Sequence, residues 1–142
     1  MKKQISKIFS SDGELSKSIK GFKPRAEQLE MAQSVGYAIQ NKRPLVVEAG
    51  TGTGKTFAYL APALIAGKKT IISTGSKNLQ DQLFSRDLPA IKKALHYSGK
   101  IALLKGRSNY LCLERLDQVI AQGVLGDKSV LADLSKVRKW NN

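Results

Sequence analysis

Ala49-Gly50-Thr51-Gly52-Thr53-Gly54-Lys55-Thr56 decides the reading of this chain, because it holds the residue types with which a loop wraps backbone N–H groups around a polyphosphate. Gly50, Gly52 and Gly54 let the backbone take positive φ and come close to an anion that a Cβ would hold off. Lys55 is then placed to reach β- and γ-phosphates. The Thr56 hydroxyl is placed to ligate a Mg²⁺ bridging the same groups, and a helix beginning here points the positive end of its dipole at them. The strict P-loop pattern asks for glycine where Ala49 stands, so the flanks matter. Upstream, Pro44-Leu45-Val46-Val47-Glu48 is a short apolar run with β-branched residues, suited to a strand buried on both faces. Downstream, Phe57-Ala58-Tyr59-Leu60-Ala61 continues at helical spacing until Gly67 stops it, and Pro62 inside that helix predicts a bend through the lost bond to the Ala58 carbonyl. Strand, glycine loop and helix is the order a phosphate-binding loop requires; the bland alternative is a glycine-rich turn that binds nothing. The candidate nucleotide-binding residues are therefore Ala49, Gly50, Thr51, Gly52, Thr53, Gly54, Lys55 and Thr56. Lys55 and Thr56 are the candidate catalytic pair.

Composition narrows the partner. The 142 residues, 42% hydrophobic, suffice for one real core and argue against disorder throughout. Lys and Arg number 24 against 11 Asp and Glu, a net charge of +13 that favours a polyanionic partner such as nucleic acid over a merely solubilising basic surface. Cys112 is the single cysteine, which excludes an internal disulfide, and the Met1 to Phe9 segment lacks the apolar run of a secretory signal. No window approaches the roughly 20 apolar residues of a membrane span. A soluble, cytoplasmic protein is expected.

Along the chain, residues 1–21 read as a basic, polar lead-in with a turn at Ser11-Asp12-Gly13. Pro24 suits the first turn of a helix whose apolar stripe is Leu29, Ala32, Val35, Gly36 and Ile39, ended by Asn41 and Pro44. Thr70-Ile71-Ile72-Ser73-Thr74 and Ile101-Ala102-Leu103-Leu104 look like two further buried strands, separated by helical stretches over Asn78 to Phe84 and Leu88 to Leu95. Alternating strands and helices imply an α/β fold, a parallel sheet with helices on its faces. Past Arg107 the pattern is helical only: Leu113, Leu116 and Ile120 line one face, and Val130, Leu131, Leu134 and Val137 another, after a break from Gly123 to Gly126.

Three further stretches join the loop, and together they resemble the iron–sulfur DNA helicases of superfamily 2, the DinG/XPD-like branch. Phe22-Lys23-Pro24-Arg25-Ala26-Glu27-Gln28 is similar to that family's Q-motif. The resemblance implies that the Gln28 amide reads the adenine edge and that Arg25 supports the nucleotide site; an amide offers donor and acceptor side by side, matching adenine's own pair. Without the family, Gln28 would pass for an exposed helix residue. The stretch from Glu48 to Thr56 is similar to motif I, including Ala49. Residues 73–83, Ser-Thr-Gly-Ser-Lys-Asn-Leu-Gln-Asp-Gln-Leu, resemble motif Ia, which implies that Thr74, Ser76 and Gln80 hold single-stranded DNA through its phosphates; the plain alternative is a helix N-cap at Thr74 or Ser76. Gly106-Arg107-Ser108-Asn109-Tyr110-Leu111-Cys112 resembles the start of the family's iron–sulfur insertion, with Cys112 at the first ligand of a 4Fe–4S cluster.

The resemblance implies a RecA-like P-loop domain over residues 22–106 and the start of the iron–sulfur domain over 107–142. It also implies ATP, Mg²⁺ and the cluster as cofactors, single-stranded DNA as partner, and 5′ to 3′ unwinding in DNA repair or replication. A cluster of this kind takes about four thiolates, and this chain has one. Nor does any Asp-Glu-x-His sequence occur, so the carboxylates that hold Mg²⁺ and orient the attacking water are absent. The expectation is an N-terminal piece of a helicase that binds ATP at most and does not unwind, with an uncovered sheet edge and a tendency to associate. Two other readings are a non-catalytic nucleotide- and nucleic-acid-binding module and a small-molecule kinase. The second leaves the Q-motif and the cysteine stretch unexplained.

Overall fold

Apolar residues at helical spacing dominate the first hundred positions, and in the computed structural model, which describes residues 1–122 and 128–140, they fold as helices. The chain divides into two units, Met1–Ile101 and Ala102–Asn142. The first contains α1 (Lys2–Ile8), α2 (Glu14–Ser18), α3 (Ala26–Asn41), α4 (Lys55–Ala66), α5 (Lys77–Gln82), a π-helical turn (Leu83–Asp87) and α6 (Leu88–Ala94). In the second, a single 3₁₀ turn (Arg107–Asn109) precedes α7 (Leu113–Gln122) and α8 (Lys128–Trp140).

In the first unit α3 and α4 pack along one another, and Ala32 on one and Ala58 and Ala61 on the other are fully buried in the core. Lys42, in the left-handed region at φ 52°, ends α3, and Gly67 at φ 63° ends α4 where the sequence expects it to. The segment expected as a lead-in supplies part of the core: Ile5, Ile8, Phe9 and Leu15 are buried, with α1 against α3 and α2 against α6. Gly36 permits that contact, since a Cβ there would come within 2.6 Å of Ile5 Cδ1. Pro24 precedes α3 rather than opening it; Arg25 is the N-cap and Ala26 the first helical residue. Pro62 is buried inside a helix that remains continuous from Lys55 to Ala66.

The three runs expected as buried strands, 44–48, 70–74 and 101–104, are extended rather than helical but are not paired as strands. Among the described residues there is no strand, so the expected parallel sheet is not seen among them. Val46 is 96% exposed, Ile71 89% and Leu104 82%. The reason is physical: a helix satisfies its own backbone, whereas a strand exists only when a neighbour accepts and donates across a ladder. In the second unit α7 packs on α8, Leu116 is buried, and Arg138 pairs with Asp117 at 3.2 Å. The break expected from Gly123 to Gly126 lies outside the described residues.

Candidate functional site

The glycine loop runs from Ala49 to Gly54 and leads directly into α4. Gly52 and Gly54 take φ of 78° and 81°, the left-handed conformation that turns successive N–H groups towards one side. Gly50 does not use that freedom, and a Cβ there would find nothing nearer than Thr53 Cγ2 at 4.0 Å. The Thr53 hydroxyl donates to the Gly50 carbonyl at 3.0 Å. Lys55 folds back over the loop, its Nζ donating to the Ala49 carbonyl at 2.7 Å and to that of Gly50. An ammonium held there by two carbonyls, beside the first turn of α4, is positioned to exchange them for an anion's oxygens.

Two side chains from far upstream brace the loop. Arg25 donates from its guanidinium to the Gly52 carbonyl, and Gln28 donates from Nε2 to the Gly54 carbonyl at 2.9 Å. Gln28 is only 4% exposed, so the plain alternative of an exposed helix residue does not hold. It fills the space a side chain at position 54 would need, for a Cβ there would lie 2.2 Å from Nε2. An aromatic series supports the same corner: Phe9 and Phe22 have ring centroids 6.3 Å apart, and Phe22 meets Phe57 edge-on at 6.4 Å. Such pairs each add about 0.5–1.5 kcal/mol beyond burial. The structure thus brings Arg25, Gln28 and residues 49–56 to one place.

Residues that sequence reasoning passed over complete the neighbourhood. Tyr59 stands one turn along α4 from Thr56, and burial raises its phenol above the usual value, with the Asp87 carboxylate adding to the rise and a hydrogen bond with Thr56 opposing it. Asp87 itself is buried. The three-residue spacing of Thr56 and Tyr59 on a helix was the available signal. Asp87 had none, because the π-helical turn that carries it was not foreseen.

At the candidate DNA-binding turn, the Ser76 hydroxyl accepts the Leu79 N–H at 3.2 Å and caps α5, and the Thr74 hydroxyl donates to the Ser76 carbonyl at 3.4 Å. Ser76, not Thr74, is therefore the N-cap. Both a cap and a phosphate contact use an exposed hydroxyl at a helix start, and Gln80 lies one turn further along. In the second unit, Tyr110 Oη accepts the Lys105 N–H at 2.8 Å, and Asn109 Nδ2 donates to the Gly106 carbonyl at 3.0 Å, closing the turn before Cys112. The Cys112 thiol is exposed. Among the described residues no group of three or more His, Cys, Asp or Glu could hold a metal, so these residues do not by themselves form an iron–sulfur site. No helix among them is long and apolar enough to cross a membrane.

This constellation, a phosphate-type loop braced by an upstream Arg and Gln, has the form of a P-loop nucleotide site. The family model for DEAD/DEAH box helicases matches residues 27–142, and the chain belongs to that family. It is 85% identical over 139 residues to the ATP-dependent DNA helicase YoaA of Haemophilus influenzae, which covers 98% of this chain and 22% of that protein. To YoaA of Escherichia coli strain K12 it is 63% identical over 134 residues, covering 94% and 21%. To the ATP-dependent helicase DinG of Mycobacterium tuberculosis it is 47% identical over 100 residues, covering 65% and 15%. The likeness drawn from the motifs therefore extends along nearly the whole chain, and the chain spans about a fifth of the length of the YoaA relatives it matches. No solved structure matches it.

Proposed function

We propose that this chain forms the ATP-binding and first DNA-contacting part of an ATP-dependent DNA helicase. The observation that carries the reading is the braced loop: Arg25 and Gln28 hold Gly52 and Gly54 in place while Lys55 lies across the loop. On this reading the N–H groups of residues 50–55 and the Lys55 ammonium hold the β- and γ-phosphates, and Thr56 ligates Mg²⁺. Gln28 faces the nucleotide site with its amide, and Arg25 steadies the loop. When bound, Mg²⁺ neutralises charge on the transferring phosphoryl group. Thr74, Ser76 and Gln80 hold a single strand by its phosphates, aided by a chain that carries +13.

Several finer assignments come from the family. The runs 44–48, 70–74 and 101–104 become strands of a RecA-like sheet when neighbours pair with them, residues 22–106 belonging to that domain. Residues 107–142 then open an iron–sulfur domain in which Cys112 is one ligand among four, the others coming from outside this chain. The whole motor unwinds 5′ to 3′ in repair or replication, in the cytoplasm. The chain alone binds nucleotide without turnover, since it has no Asp-Glu-x-His sequence to hold metal and orient water.

Titration of the purified chain with a fluorescent ATP analogue tests this. Saturable uptake that ATP displaces is expected, and Lys55→Ala should weaken it about 10- to 100-fold, the loss of one charge-assisted contact worth about 1.5–3 kcal/mol. Uptake that Lys55→Ala leaves untouched would overturn the assignment.

A further inference from the structure

At the end of α4 remote from the glycine loop, a cavity of about 340 Å³ opens between the last turns of α1, α4 and α6. That volume is within the range of small-ligand sites. No residue of the 49–56 loop lines it, and its lining residue Leu64 lies about 14 Å along α4 from Lys55. Ile8, Leu64, Ile65 and Leu95 give it apolar walls. Its polar side is set by Glu14, the first residue of α2, whose Oε2 is buried and has no hydrogen-bond partner among the described residues. Lys7, the other lining residue charged at neutral pH, is exposed and leaves that oxygen unpaired. A buried carboxylate oxygen without a donor is costly, and a donor that itself carries positive charge relieves the cost most. The end of α4 adds to this, since a helix C-terminus bears partial negative charge and α4 stops at Ala66 beside the cavity. His96, at φ 50° in a conformation that glycine ordinarily supplies, completes the wall after α6.

We propose that this cavity binds a small organic cation, a primary ammonium on a short alkyl chain. The ammonium donates to Glu14 Oε2, and the alkyl chain lies against Leu64, Ile65 and Leu95. The overall charge of +13 favours anions elsewhere on this chain, but an anion here would face the Glu14 carboxylate. A free alkylamine and a lysine side chain of another protein share the required chemistry.

His96 is the single histidine of the chain and lines the cavity, so its imidazole proton resonance reports occupancy there. Titration of the purified chain with n-pentylamine at constant pH should shift that resonance saturably, while n-pentanol and n-pentanoate at the same concentrations should not. Glu14→Gln should weaken the amine about 10- to 100-fold, as loss of a charge-assisted hydrogen bond does. Lys7→Met, at an exposed position, should tighten it about 1.5- to 5-fold, and this variant decides the matter should Glu14→Gln disturb α2. Asp12→Asn, which removes a carboxylate outside the cavity, should change nothing. Nα-acetyl-lysine amide separates the two sources: a response equal to that of the amine assigns the cavity to a lysine side chain, and a response to the amine alone assigns it to a free amine. A resonance that ignores the amine, or that follows n-pentanoate as readily, would overturn the inference. So would an amine affinity that a folded Glu14→Gln chain retains in full, or one that Lys7→Met leaves unchanged.

Discussion

The Gln28 amide and the Gly54 backbone occupy one another's space: Nε2 donates to the Gly54 carbonyl at 2.9 Å, and a Cβ on Gly54 would sit 2.2 Å from that nitrogen. The Gly54 carbonyl also accepts the Ala58 N–H at 3.3 Å, so loop, upstream helix and α4 meet on one oxygen. A glycine is needed at 54 for two independent reasons, its φ and its neighbour.

Gly54→Ala should therefore cost more than Gly52→Ala. At Gly52, with φ 78° and open space around it, the penalty is the left-handed strain alone, about 1–2 kcal/mol. At Gly54 displacement of the buried Gln28 amide adds about 1–3 kcal/mol. Thermal melts of the two variants check the order, and equal losses would contradict the account.

Ile5→Ala should destabilise the first unit by about 2–5 kcal/mol, the cost of an unfilled core site. Ile5 is wholly buried against Gly36 of α3, although it lies in a segment whose composition reads as a polar approach to the domain. Urea unfolding measures it. A loss below about 0.5 kcal/mol, typical of surface positions, would show that α1 is dispensable.

Ser76→Ala should remove the α5 cap at a cost of about 0.5–2 kcal/mol, and Ser76→Thr should retain most of it. If the same hydroxyl holds a phosphate, affinity for oligothymidylate falls in the alanine variant and is restored by threonine. Stability measured by circular dichroism and binding measured by anisotropy separate the two effects.

Two groups predict opposite slopes of stability with pH. The Ser10 hydroxyl, donating at 2.7 Å, leads the causes that hold the Asp12 carboxyl below its ordinary 3.8, so its contribution is present above that value and lost as the pH falls through the lowered one. Tyr59, raised by burial above 10.0, contributes fully below that value, and its contribution is lost as the pH climbs from there through the raised one. Asp12→Asn should flatten the acid limb of the stability profile and Tyr59→Phe the alkaline limb.

How much of this was legible in the residues depends on what each feature needs from elsewhere. Helices α3, α4 and α7 arise from spacing and stop signals within the helix itself, and Gly67 ends α4 because only the local backbone is involved. The loop's chemistry is likewise local, since glycines, lysine and threonine at that spacing can serve few purposes. Gln28 was different: periodicity places it on a helix, but nothing in periodicity says that a loop 26 residues away closes over it.

From its residues alone this chain declares a glycine-rich loop of phosphate-binding type, the helix behind it and an excess of basic charge, because those depend on backbone freedom, spacing and composition. Tertiary packing alone decided that the N-terminal helices belong to the core, that Arg25 and Gln28 hold the loop, and that a π-helical turn brings Asp87 to α4. Pairing of the runs at 44–48, 70–74 and 101–104 is likewise a tertiary matter, since a strand's hydrogen bonds belong to its neighbours and no sequence carries them within itself.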